Sequence, residues 1–158
     1  MNGTEPKDRK EVLSSIFRRK GGNGVYTRLF DSLDREQRDL LLTAIELHDQ
    51  ELPIIGSVPN VDYCLLLTTE RLVWYFGGRR QDLQIEELRD AVADFNKHNY
   101  GSETKSKLNE LIIITMRNAR HLVALEPGRP LFGTWNVLKN LGRSNRSKDK
   151  QESSSYHG

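Results

Sequence analysis

Few side chains in this chain could support catalysis, and their spacing fits no common active site. The chain has one cysteine, Cys64, and four histidines. The histidines lack the paired spacing of a zinc site. Cys64 lies within an apolar run, where a free cysteine usually packs as a small hydrophobic side chain. The glycine-rich run at 21–24 is followed by no Lys-Ser or Lys-Thr pair, so it does not fit a phosphate-binding loop. We therefore expect no catalytic residue, no metal site and no cofactor, and a protein that is not an enzyme.

Positively charged side chains are the remaining candidates for binding. Two adjacent arginines follow a Gly-Gly turn signal, and their planar guanidinium groups could grip a phosphate or an acidic partner. A long polar loop further on carries three lysines and a tyrosine beside a glycine, and functional residues concentrate on loops. In both places solvated side chains are the simpler interpretation. The candidate contacts for a protein or lipid partner are Arg79, Arg80, Lys97, Tyr100, Lys105 and Lys107.

The composition predicts one folded domain between two polar ends. The chain has 158 residues, of which 36% are hydrophobic and 29% charged, so part of it must be solvated. Residues 1–24 are predicted to be a largely disordered tail with a possible short helix at 11–19. Residues 143–158 are predicted to be a disordered C-terminal tail, because they combine mixed charge, serine and very few apolar side chains.

The charge balance argues against a nucleic-acid-binding protein, and the lack of long apolar stretches argues against a membrane-spanning one. The net charge is only +2, and the basic excess lies mostly near the two ends, so we do not expect a nucleic-acid partner. No stretch approaches the ~20 apolar residues of a membrane span, and the first residues lack the apolar core of a signal peptide. We therefore expect a cytoplasmic location. A single cysteine also excludes an intramolecular disulfide.

Residues 25–55 are predicted to form an N-terminal helical segment. Asp34, followed three residues later by Gln37, resembles a capping box, and Leu33 is placed to act as a hydrophobic staple. Apolar residues then recur on one helical face, and a proline follows. The predicted helix covers 34–50.

Five apolar runs of strand length and one amphipathic helix follow this segment. Gly77 and Gly78 are a two-residue hairpin signal between the second and third runs, and Gly142 suits the end of the helix. This order predicts a mainly β fold with flanking helices, in which a small curved antiparallel sheet is closed by the C-terminal helix. The runs are 61–67, 72–76, 83–88, 111–117 and 121–125, and the helix is 130–141.

Three consecutive aromatic residues indicate that both faces of the sheet are covered. Trp74, Tyr75 and Phe76 must alternate between the two faces of a strand. One face belongs to the core, so the other needs cover from the 34–50 helix, a second subunit or a ligand. Packing by the chain's own helix is the simplest of these.

Two stretches in the strand region and one in the closing helix resemble a known family. Residues 64–75, Cys-Leu-Leu-Leu-Thr-Thr-Glu-Arg-Leu-Val-Trp-Tyr, resemble the first hairpin of bacterial pleckstrin-homology-like (PH-like) domains. Ile-Glu-Glu-Leu at 85–88 resembles the segment after their third strand. Leu-Phe-Gly-Thr-Trp-Asn-Val-Leu at 131–138 resembles their closing helix. The resemblance covers residues 56–142.

This resemblance implies a seven-stranded, partly open antiparallel barrel capped by a C-terminal helix. Two strands beyond the five runs are then required, and 52–58 and 92–95 are the candidates. The family implies recognition of lipids, peptides or protein surfaces without catalysis. Its phosphoinositide-binding members carry a basic cluster in the first hairpin loop, whereas the loop at 68–70 is short and acidic, so that specificity is not carried over.

Two hypotheses follow. The first is a bacterial, cytoplasmic, non-catalytic interaction module that docks an unknown protein partner or self-associates. The second is peripheral binding to anionic lipid or a membrane surface through the basic loops. Salt-dependent affinity for anionic lipid separates the two, since charge-driven membrane binding weakens as salt rises.

Overall fold

The chain folds into two antiparallel sheets flanked by three helices. A computed structural model describes residues 5–60, 62–93 and 109–157, without the side chains of residues 152–157. The fold is mainly β, as predicted, and it is not a closed barrel. The elements in chain order are α1 (Pro6–Lys20), β1 (Thr27–Leu29), α2 (Arg35–Ala44), β2 (Pro53–Asn60), β3 (Tyr63–Thr68), β4 (Arg71–Phe76), β5 (Arg79–Gln84), β6 (Leu88–Ala93), β7 (Asn109–Thr115), β8 (Arg120–Leu125) and α3 (Arg129–His157).

The first sheet is a meander of five strands in the order β1-β2-β3-β4-β5. Its tight turns follow the local sequence. Gly77 and Gly78 join β4 to β5 with φ angles of 59° and 81°, which glycine adopts without steric cost. Leu65 pairs with Trp74 across the β3–β4 hairpin, which places both on one face. The three-residue strand β1 adds to the edge of β2 and was not predicted.

The second sheet has three strands in the order β6-β7-β8, and α3 packs on β6. The predicted run at 83–88 is divided in the structure: β5 ends at Gln84, a single 3₁₀ turn covers Ile85–Glu87, and β6 then starts in the second sheet. The expected strand at 52–58 corresponds to β2. The one at 92–95 overlaps β6 up to Ala93, and its last two residues lie outside the described residues.

Two apolar clusters lie on opposite faces of the first sheet. The larger one fills the space between the sheets, α1 and α3, and it includes Phe17 and Trp74. The smaller one is the outer face, where Leu66 and Val73 pack against Leu41 of α2. The chain's own helix therefore provides most of the cover that the three aromatics require, as predicted. Tyr75 packs against this outer cluster, while Phe76 is 67% exposed.

The first helix is longer and more buried than the sequence suggested. A short helix at 11–19 was expected within a disordered tail, but α1 covers Pro6–Lys20. Leu13, Ile16 and Phe17 form a buried stripe. Phe17 lies against Gly133, where any Cβ would be 2.7 Å from the aromatic ring. This close approach joins α1 to α3.

The second helix begins as predicted and ends earlier. Asp34 accepts a hydrogen bond from the Gln37 amide at 2.9 Å, and the Gln37 side chain accepts one from the Asp34 amide at 3.2 Å. The capping box is thus complete. The helix ends at Ala44 rather than residue 50, because Ile45 turns to an extended conformation and its side chain is buried in the outer cluster.

The third helix continues past its predicted end. Gly142 is not a C-cap, since α3 runs on to His157 through the expected disordered tail. A Cβ at position 142 would lie 2.3 Å from the carbonyl oxygen of Arg89, so this glycine allows the helix to touch the backbone of β6. One turn later, the Asn145 amide donates to the carbonyls of Ile85 and Leu88 at 2.8 and 2.7 Å. These contacts hold the second half of the helix on the sheet.

Candidate functional site

The two arginines predicted at the hairpin turn lie together at the start of β5, and both are exposed. Arg80 is partly engaged within the chain. Its guanidinium lies 5.9 Å from the centre of the Tyr75 ring and 3.3 Å from the Asp82 carboxylate. Arg79 makes no such contact among the residues described. The other predicted contacts, Lys97, Tyr100, Lys105 and Lys107, lie outside the described residues.

A buried ion pair joins the loop after α2 to the first strands. The Arg71 guanidinium donates from Nε to Glu51 Oε2 at 2.9 Å and from Nη2 to Oε1 at 3.1 Å, while the Glu51 side chain is fully buried. Thr68 donates its hydroxyl to the same carboxylate. Burial by itself raises the pKa of Glu51, but hydrogen bonds from Arg71, Thr68 and the His48 amide outweigh it and hold that pKa below its usual value. This network is structural, since its groups satisfy one another.

One cluster of metal-ligating side chains lies beside this ion pair. His48, Glu51 and Glu70 place ligand atoms within 4.8 Å of one another. His48 Nδ1 is 2.8 Å from the Glu70 carboxylate. A cation at this point would compete with the Arg71 guanidinium for Glu51, so the arrangement fits a salt bridge better than a metal centre.

A second buried carboxylate secures the edge strand. Glu126, in the turn between β8 and α3, accepts hydrogen bonds from three consecutive backbone amides at 2.8–2.9 Å. These amides belong to Val25, Tyr26 and Thr27, at the start of β1. Consecutive backbone N–H groups that point to one place often bind an anion, and here the Glu126 carboxylate is that anion. Its role is to hold the segment between α1 and α2 against the fold.

A groove between α2 and the outer face of the first sheet is the best candidate for binding. It has a volume of about 620 Å³. Its apolar surface comes from Leu40 and Ala44 of α2 and from Cys64 and Tyr75 of the sheet. The Tyr75 hydroxyl donates to the carbonyl of Ala44 at 2.9 Å, which fixes the distance between helix and strand at this end. Burial raises the pKa of the Cys64 thiol, so this side chain is a poor nucleophile in the folded protein.

The rim of the groove is acidic. Glu36 and Asp39 lie three residues apart on α2, a spacing that places both on one side of a helix, and Asp62 lies opposite them in the turn before β3. Arg35 offsets little of this charge, because its Nε is 4.0 Å from Asp39 and both side chains are largely exposed. This groove was not predicted from the sequence. The acidic pair at 36 and 39 was a visible signal, but the position of Asp62 depends on the fold.

No family model, curated protein or solved structure matches this chain. Among the described residues, no helix is both long and apolar enough to cross a membrane. The surfaces described above are therefore the basis for assigning a function to this chain.

Proposed function

We propose that this protein is a non-catalytic interaction module that docks a protein partner through the groove between α2 and the first sheet. The observation that carries this proposal is an apolar groove of about 620 Å³ with an acidic rim, which α2 leaves uncovered. Concave apolar surfaces with a few polar groups are the usual form of a binding site.

The proposal includes a PH-like fold, like that of the bacterial domains, and a cytoplasmic location. Three features support it: a four-stranded antiparallel meander from β2 to β5, a three-stranded sheet from β6 to β8, and a closing helix packed on β6. The resemblance implies seven strands and a closing helix, and the number and order of β2–β8 and α3 are consistent with it. In this proposal, β1 and α1 are additions of the N-terminal segment, which lengthen the first sheet and cover the core.

The groove indicates the chemistry of its partner. Apolar side chains can fill the space beside Leu40 and Tyr75, and each buried CH₂ group contributes roughly 0.8 kcal/mol. The acidic rim favours positive charge on either side of these side chains and disfavours acidic partners. We therefore expect a segment in which a few large apolar residues are flanked by lysine or arginine.

A pair of synthetic peptides tests the proposal. In one peptide Leu-Phe-Leu is flanked by two lysines at each end, and in the other by two glutamates. Binding to isotopically labelled protein is followed by amide chemical shifts. The lysine peptide should shift the α2 and β3 amides, and Asp39→Lys should weaken it by about tenfold. Glu110→Lys is the matched control, because it reverses an exposed charge on β7, outside the groove.

The proposal fails if neither peptide binds, or if the two variants weaken binding equally. Self-association is a separate outcome, and sedimentation of the unliganded protein detects it. If a second copy fills the groove, the average mass should rise with concentration, and Asp39→Lys should restore the monomer. If the groove binds another protein rather than a second copy, the unliganded chain should remain monomeric and the lysine peptide should still bind.

Peripheral binding to anionic lipid is the alternative function. Of its candidate lipid contacts, Arg79 and Arg80 lie within the described residues. Both are exposed on β5, which is the observation in its favour. Sedimentation with neutral and anionic vesicles at low and moderate salt tests it. Salt-sensitive binding to anionic vesicles alone, lost in Arg79→Gln/Arg80→Gln, supports this alternative. Binding that the double variant does not change removes these arginines from the site.

A further inference from the structure

A cluster of positive charge lies outside the predicted basic loops, on β6, β8 and the second half of α3. Two adjoining depressions, of about 460 and 370 Å³, are formed between β6, the β7–β8 turn and the second half of α3. Arg89 and Arg146 line both of them. Arg120 lines one and Lys150 the other. These four side chains are called the α3 basic cluster below.

The fold holds the two central arginines in place. Arg146 donates to the backbone carbonyl of Arg89, and Arg89 donates to the side chain of Asn118 in the β7–β8 turn. Asn118 has a φ of 68°, which asparagine tolerates better than most residues. Gly142 and Asn145 bring this part of α3 onto the sheet, as described above. The cluster is thus formed by a fixed helix, a strand and a tight turn.

The charges of the cluster are not balanced by ion pairs within the described part of the chain. None of its four side chains forms a salt bridge with a carboxylate among the residues the structure describes. Two carboxylates line the depressions. Asp90 is 3.3 Å from Lys139 and so is already paired, and Asp149 is exposed at the edge. Like charges held close together repel, and an anion among them relieves that repulsion.

We propose that the α3 basic cluster binds a phosphoryl group. A carboxylate has one negative charge and two acceptor oxygens. A phosphate monoester has up to two negative charges and three such oxygens, which can accept hydrogen bonds from several cationic side chains at once. Arginine guanidinium groups present paired donors that match these oxygens. The concave shape suits a compact anion more than a flat bilayer. This site is independent of the groove beside α2, so either can fail without the other.

Titration with inorganic phosphate at constant ionic strength tests the site. Amide shifts should move in β6, in the β7–β8 turn and in α3 around residue 146. Arg120→Gln/Lys150→Gln should weaken the affinity at least about tenfold, since hydrogen bonds from a cationic side chain to a phosphate oxygen are stronger than those between neutral groups. Both side chains are exposed and neither donates a hydrogen bond within the described chain, so this variant should keep its fold.

The matched control is Lys7→Gln/Arg19→Gln, which removes the same charge from two exposed positions on α1. Loss of phosphate binding in the first variant with retention in the control supports the proposal. Equal weakening in both variants reduces the effect to net charge and overturns it, as does the absence of any localised shift. Two further probes separate the sources of the phosphoryl group: vesicles containing phosphatidic acid, and soluble glycerol phosphate. Vesicle binding that requires Arg120 and Lys150 identifies a lipid headgroup as the source. Glycerol phosphate binding that requires the same two residues identifies a free phosphomonoester.

Discussion

Replacing Arg71 by methionine should destabilise the protein by about 3–5 kcal/mol. Methionine keeps an unbranched apolar stem but removes both charge-assisted hydrogen bonds to Glu51, at 2.9 and 3.1 Å. The carboxylate then remains buried, with a fully covered side chain and without its guanidinium partner. Breaking one side of a buried ion pair typically costs this amount. Since domains are usually stable by only 5–15 kcal/mol, the change should be large in any unfolding measurement.

Removing both partners should cost much less than removing one. In Glu51→Leu/Arg71→Met, the carboxylate that the single substitution leaves unpaired is absent. Apolar pairs of similar volume often replace buried ion pairs without a net loss. The coupling energy of this double-mutant cycle should therefore be about 2–3 kcal/mol. Thr68 remains satisfied in the double variant, because its hydroxyl can still donate to the carbonyl of Arg71 at 3.2 Å and accepts from the amides of Glu70 and Arg71 at 3.0 Å.

Urea denaturation followed by far-ultraviolet circular dichroism measures each free energy of unfolding. Arg80→Met is the matched control, because Arg80 forms an exposed ion pair with Asp82 and should cost at most about 1 kcal/mol. A loss below about 1 kcal/mol for Arg71→Met, or additive effects of the single substitutions in the double variant, would contradict this prediction. Either result would mean that water reaches the pair and screens it.

Four further predictions follow from the buried groups. Because the folded pKa of Glu51 is lowered, its contribution is fully present above the unfolded pKa of about 4.3 and is lost as pH falls below it. The stability difference between the native chain and Glu51→Gln should therefore shrink in acid. Glu126→Gln should cost about 1–3 kcal/mol and speed amide exchange at 25–27, because an NH₂ group cannot accept from those amides. Gly142→Ala should destabilise the fold although alanine favours helix by about 1 kcal/mol, since its Cβ would clash with a backbone oxygen; thermal unfolding decides the sign. Cys64 should react slowly with a disulfide reagent at pH 8 and rapidly after unfolding in urea, because burial raises its pKa.

The features that the sequence predicted correctly are those set by local chemistry. The capping box at Asp34 requires only a carboxylate and an amide three residues apart, and both hydrogen bonds are present. The turn at Gly77 and Gly78 requires two positive φ angles, which glycine provides. The predicted mainly β order follows from such signals, together with apolar runs of strand length.

The features that the sequence did not predict depend on distant contacts. β1 has three residues, and the amide of its first residue, Thr27, donates to Glu126, 99 residues further along the chain. Gly142 shows why a local rule can mislead. A glycine after an apolar helical stripe suits a C-cap, but the same residue also suits a helix that touches a strand. Only the position of Arg89 in the fold distinguishes the two uses.

The net charge of +2 conceals two surfaces of opposite sign, and this separation bears on how copies of the chain could meet. The acidic groove rim lies on α2 and the turn before β3, whereas the basic cluster lies on β6, β8 and α3. If α3 of one copy entered the groove of another, the first copy would still present a free groove and the second a free α3. Such a head-to-tail contact is heterologous and grows into chains unless its rotation closes a ring. A phosphoryl group bound at the basic cluster would neutralise one half of that contact. Phosphate should therefore oppose any self-association through the groove, while leaving the binding of a lysine-flanked peptide unchanged.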